Sequence, residues 1–97
     1  MKLLALEIDK PEVPDSAFTP ELLRKEAAKA WELYQAGTLR EMYFRADRDA
    51  AVLVLESANL DEAQAVISSL PLVQQKLIEF EIIPLVPYPG FRRLFAK

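Results

Sequence analysis

Ninety-seven residues, 52% apolar and 28% charged, describe one folded domain and exclude a disordered chain; at this length about 60–65% of the unfolded surface can be buried, enough for a single core. With no cysteine and no histidine, the chain can form no disulfide, thiolate–zinc site, Ser-His-Asp triad or imidazole ligand set. A net charge of −3 argues against a nucleic-acid partner, and any acid–base chemistry falls to carboxylates, Tyr, Lys or Arg.

The chain opens on KLLALEID, residues 2–9, an alternating segment with Leu4, Leu6 and Ile8 on one face and Leu3, Ala5 and Glu7 on the other, which suits a central strand. The charges at Glu7 and Asp9 follow too soon for a signal peptide, and no apolar run approaches the roughly 20 residues of a membrane span. A cytoplasmic protein without a membrane partner is therefore expected. Lys10 to Phe18 reads as a loop from its prolines and aspartates, and Thr19-Pro20 as a helix N-cap followed by proline at the first helical position.

From Glu21 to Ala36, the residues Leu23, Ala27, Ala30, Trp31 and Tyr34 fall on one helical face, opposite Arg24, Lys25, Lys29, Glu32 and Gln35. At that spacing Trp31 and Tyr34 are expected in the core and not in a pocket. Gly37 follows, where a helix end favours a residue able to take positive φ. Thr38 to Arg45 reads as a strand with Leu39, Glu41, Tyr43 and Arg45 on one face and Arg40, Met42 and Phe44 on the other. Asp47, Arg48 and Asp49 form a charged turn, and Ala51 to Leu55 completes a hairpin.

Asn59 and Glu62 are spaced as a capping box, ahead of an apolar stripe of Ala63, Val66, Ile67 and Leu70 that Pro71 should stop. A last strand is expected from Leu77 to Ile83. The order strand, helix, strand, strand, helix, strand predicts an α+β fold of the ferredoxin-like βαββαβ kind: a four-stranded antiparallel sheet with two helices on one face, over residues 1–86. The helices are expected to cover Leu4, Leu6, Ile8, Ile78, Phe80 and Ile82 with Met42 and Phe44. The opposite face would gather Glu7, Glu41, Tyr43, Arg45, Glu79 and Glu81 among Leu3, Ala5, Leu39 and Ile83, a mixture that a sheet-to-sheet interface with paired charges would accommodate.

Glu41 and Tyr43 lie two residues apart on one strand face, about 6.5–7 Å, so they can flank one small ligand. The carboxylates of that face are expected to pair with Arg45 or with an arginine of another subunit; no calcium-type loop is present and no metal is expected. Residues 87–97, PYPGFRRLFAK, form a basic, aromatic C-terminal arm expected to dock on a neighbouring subunit.

Gly37-Thr38-Leu39-Arg40, the hairpin after it, Ser69-Leu70-Pro71-Leu72 and the Ile-Glu-aromatic-Glu strand at Ile78–Glu81 together resemble the muconolactone isomerase family in order and spacing. The resemblance implies a dimeric α+β barrel, further assembly, and a proton shift next to a lactone carbonyl. It also implies site residues: Arg40 to anchor the substrate, although Arg40 can equally pair with an acid at the sheet edge; Glu41 as the base, standing where members of the family carry a histidine; and Tyr43 as acid or oxyanion donor. Two readings follow: an isomerase acting on a small lactone or carbonyl compound without a cofactor, or a non-catalytic ligand-binding or interaction module of the same fold. Either would be a homodimer or a larger homo-oligomer with a small-molecule ligand.

Overall fold

A computed structural model describes residues 1–95. Strand β1 (Lys2–Ile8) leads through a 3₁₀ turn at Asp15–Ala17 into α1 (Pro20–Gln35); the hairpin β2 (Leu39–Phe44) and β3 (Ala51–Glu56) follows, then α2 (Leu60–Ser68), the short α3 (Pro71–Gln74), β4 (Glu79–Pro84) and a 3₁₀ segment at Pro89–Leu94. The four strands form one open antiparallel sheet in the order β2-β3-β1-β4. This is the ferredoxin-like α+β architecture, with one helix more than expected: Leu70 is the N-cap of α3 and Pro71 its first residue, so the proline that ends α2 also starts the next helix.

Local signals account for the helix ends. The Thr19 hydroxyl accepts from the Leu22 N–H, and the Asn59 side chain from the Glu62 N–H at 2.9 Å. Glu62 reaches back to the Ala58 N–H, one residue earlier than an ordinary capping box. At the end of α1, Gly37 takes φ +81° while Thr38 N–H bonds to Leu33 C=O, the αL closure that glycine permits.

The sheet faces differ from expectation in β1. Leu3 and Ala5 are fully buried under the helices, whereas Leu4 and Leu6 are half-buried and Ile8 is exposed. Both faces of β1 are apolar, so hydrophobicity could not choose between them; the register does. Leu3 pairs with Leu55 and Ala5 with Leu53 on one side, and Ala5 with Ile82 and Glu7 with Phe80 on the other. The helix-facing core is therefore Leu3, Ala5, Leu39, Ala51, Leu53 and Leu55 against Ala30, Ala63, Ile67 and Leu70.

A bulge in β2 moves Leu39 into that core. Leu39 pairs with Leu55 and Glu41 with the adjacent Val54, so Arg40 is an extra residue and the alternation resets after it. Met42 and Phe44 face the helices as expected, and Glu41 and Tyr43 the other side. On that outer face Leu4, Leu6, Val52, Val54 and Ile83 stay half-buried, with no second layer over them among the described residues. Arg45 leaves the sheet and forms a two-pronged pair with Asp47 in the hairpin loop, at 2.9 and 2.7 Å, instead of meeting the sheet carboxylates.

Beyond β4 the chain projects. The Cα radius of gyration is 15.9 Å, against about 12.5 Å for a compact domain of this length. Tyr88 packs edge-to-face on Phe91 and covers Gly90, while Val86, Leu94 and Phe95 are largely exposed. Residues 96 and 97 of the expected arm lie outside the described residues. Among the described residues no helix is long and apolar enough to cross a membrane.

Candidate functional site

A cavity of about 1170 Å³ opens between α1, the loop after β1, and the helix-facing side of the sheet. Its floor is Leu39, Leu53, Leu70, Ile78 and Phe80; its mouth carries Trp31, Tyr34 and Phe44. These mouth residues correct an expectation: Trp31 and Tyr34 are not core. They stack on each other with ring centroids 5.6 Å apart and remain 59% and 53% exposed. Of the expected stripe only Ala30 is buried: Leu23 and Ala27 are exposed as well, and the part of α1 that packs on the core is Ala30 with Leu33.

Two carboxylates stand in the walls, and a backbone donor holds each. The β1–β3 ladder ends at Leu6 and Val52, so the Ala51 N–H has no partner strand residue; Glu7 supplies its Oε1 at 2.9 Å. The first N–H groups of α3 likewise have no side-chain cap from Leu70, and Glu26 of α1 reaches across to the Leu72 N–H, also at 2.9 Å. Burial raises both carboxyls above the ordinary carboxylate range, outweighing the opposing pull of those N–H groups. For Glu7 the charges of Asp9 and Asp49 add to the rise; for Glu26 the charge of Glu7 does.

Glu7 thus lies on the helix-facing side and not on the outer face expected for it. Glu26 was not singled out from the sequence at all. Its signal was there: Glu26 sits three residues after Leu23 and four before Ala30, a carboxylate inside the apolar stripe and not opposite it.

The residues named from the resemblance lie elsewhere. Tyr43 donates to Glu41 Oε1 at 2.7 Å on the outer sheet face, and this bond holds the phenol above its usual pKa. Arg40 Nε donates to Gly37 C=O at 2.6 Å and does not line the cavity; its charge, after that of the N-terminus, helps hold the Glu56 carboxyl below its usual pKa. None of the three lines the large cavity, nor the shallow depression of about 340 Å³ on the outer face. The structure brings Glu41 and Tyr43 together and leaves Arg40 apart from them.

Fold and cavity together define a small ferredoxin-like α+β protein whose sheet and helices enclose a carboxylate-bearing cleft. The chain belongs to the muconolactone delta-isomerase family, whose sequence model matches residues 3–90. Among solved structures it is similar to muconolactone isomerase, with a TM-score of 0.72 at 20% identity over 93% of both chains. It is also similar to 5-chloro-2-hydroxyhydroquinone dehydrochlorinase from Burkholderia phenoliruptrix AC1100 in complex with 2,5-dihydroxybenzoquinone: TM-score 0.61, 15% identity, 93% of this chain and 98% of that one. No curated protein sequence matches the chain.

Proposed function

We propose that the chain is an enzyme that shifts a proton, and with it a double bond, in a small lactone or carbonyl compound held in the cleft between α1 and the sheet. One observation carries the reading: two carboxyls raised by burial, Glu7 and Glu26, line one cavity in a member of the muconolactone delta-isomerase family. Perturbed pairs of this kind mark acid and base roles, and the asymmetry between them divides the work. Glu7 is the base and Glu26 the acid, because burial chiefly, with the charge of Glu7 adding to it, favours the protonated form of Glu26. Glu26 in its acid form donates to the carbonyl oxygen. Glu7 takes the proton from the carbon next to that carbonyl and an enol-like species forms against Glu26; the proton on Glu7 then returns at the far end of the new double bond while Glu26 takes its own proton back from the enol oxygen. Each such group contributes about 10²–10⁴-fold.

The test is exchange and isomerisation of α-angelica lactone, an uncharged lactone with a proton between its carbonyl and its double bond, followed by NMR in deuterated buffer. The wild type is expected to accelerate both. Glu7→Gln is expected to lose the acceleration while keeping the wild-type circular dichroism spectrum; no acceleration by the wild type would refute the reading for this class of lactone.

A second reading keeps the reaction but places it on the outer sheet face, with Glu41 as base, Tyr43 as acid and Arg40 as anchor. The 2.7 Å Tyr43–Glu41 bond favours it, and it requires another subunit to enclose that face. The same face supports homodimer formation, because Leu4, Leu6, Val52, Val54 and Ile83 otherwise remain uncovered. The arm at residues 87–97 extends that association by docking on a neighbour. A ligand-binding module without catalysis remains the alternative if the cleft binds but does not turn over. The protein works in the cytoplasm without a cofactor.

A further inference from the structure

We propose that the cleft selects uncharged ring compounds bearing a hydroxyl or ketone oxygen and rejects carboxylates, so that its ligand is a neutral hydroxy-carbonyl and not the anion of an organic acid. The inference rests on the cleft being the binding site, as proposed above, and adds the charge of what enters it.

Charge is the first argument. Five acids line the cleft, Glu7, Asp9, Asp15, Glu26 and Asp49, against two bases, Lys10 and Arg48. Lys10 is already engaged, its Nζ donating to Lys76 C=O at 2.8 Å and lying 3.7 Å from Glu79, and the half-exposed Arg48 lies 3.9 Å from Asp9. The arginine expected to anchor the substrate, Arg40, is outside the cleft and bonded to Gly37. An anionic ligand would have to give up its water and approach carboxyls whose own ionisation this environment already opposes.

Hydrogen bonding is the second. Glu7 and Glu26 each commit Oε1 to a backbone N–H, and among the described residues no protein donor bonds to either Oε2. Each Oε2 accepts from a hydroxyl when its carboxyl is ionised and donates to a ketone oxygen when it is protonated, the form that burial favours. The aromatic surface of Phe18, Trp31, Tyr34, Phe44 and Phe80 fits a flat ring.

The experiment is calorimetric titration of the wild-type protein with three ring probes of one shape: 3-hydroxyacetophenone, 3-hydroxybenzoate and (3-hydroxyphenyl)trimethylammonium. It is run at about pH 6.5, where a benzoate is ionised and a phenol is not. The neutral ketone is expected to bind at least about tenfold more tightly than the benzoate. The double variant Glu7→Gln, Glu26→Gln is expected to narrow that gap by improving benzoate binding, with its melting curve confirming that it folds. Benzoate binding as tight as the ketone, or tightest binding of the ammonium probe, overturns the inference and leaves the cleft as the site. Failure of all three to bind overturns the cleft as the site and this inference with it.

Discussion

Glu7 on β1 and Glu26 on α1 line the same cavity, each with one carboxyl oxygen 2.9 Å from a backbone N–H, those of Ala51 and Leu72. Each completes a hydrogen bond that secondary structure leaves open, at the end of a ladder or the start of a helix. Structural duty and desolvation therefore fall on the same two groups.

That coupling gives a pH dependence with a definite sign. Both carboxyls bind their proton more tightly in the folded chain than in the unfolded one. From the ordinary carboxylate range up through the raised values the folded state holds more protons, so stability falls as pH rises across that window. Glu7→Gln and Glu26→Gln keep a carbonyl acceptor for the backbone N–H but carry no charge. Thermal melting should show each variant gaining on the wild type as pH rises from about 4 to 8. A gain at the acid end that disappears at pH 8 would contradict the assignment.

The sheet faces predict unequal costs for two adjacent leucines. Leu3→Ala empties a fully buried position and should cost about 2–5 kcal/mol, a melting-temperature drop of at least about 10 °C for a domain of this size. Leu4→Ala should cost less than half of that. Its effect should also depend on protein concentration, because Leu4 lies on the face proposed to meet another subunit. Equal, concentration-independent losses would contradict the face assignment.

Gly37 isolates a backbone effect. A Cβ built there meets nothing within 4 Å, yet φ is +81°. Gly37→Ala should therefore cost about 1–2 kcal/mol from the left-handed conformation alone, measurable by urea denaturation with an unchanged m-value.

Much of this architecture is legible in the residues. Thr19-Pro20, Gly37, Asn59 and the alternating segments define the elements because caps and turns act over a few positions. The faces of β1 are not legible, since Leu3-Leu4-Ala5-Leu6 is apolar on both sides and only cross-strand pairing with Leu53, Leu55 and Ile82 decides. The bulge at Arg40 is a property of two strands together, so Leu39 and Glu41 cannot be separated by parity in one of them. The cavity carboxylates are hidden for a related reason. Glu7 and Glu26 lie 19 positions apart, and what they share is a pair of open backbone donors at Ala51 and Leu72 that exist only once the chain is folded.

The arm makes a prediction about assembly. Val86, Phe91, Leu94 and Phe95 expose large apolar surfaces beyond the sheet, beside Arg92 and Arg93 in an acidic chain. Ending the chain after Val86 should leave the melting temperature within a few degrees of the full chain but lower the mass measured by size-exclusion chromatography with light scattering. An unchanged mass would remove the arm from assembly.

In the proposed mechanism proton transfer occurs in the cleft at Glu7 and not on the outer sheet face. The most direct measurement compares deuterium incorporation into α-angelica lactone by the wild type, Glu7→Gln and Glu41→Gln under identical conditions. A loss of about 100-fold or more is expected in Glu7→Gln, with near-wild-type exchange in Glu41→Gln. Wild-type exchange in Glu7→Gln together with its loss in Glu41→Gln would contradict that mechanism and move the chemistry to the Glu41–Tyr43 pair.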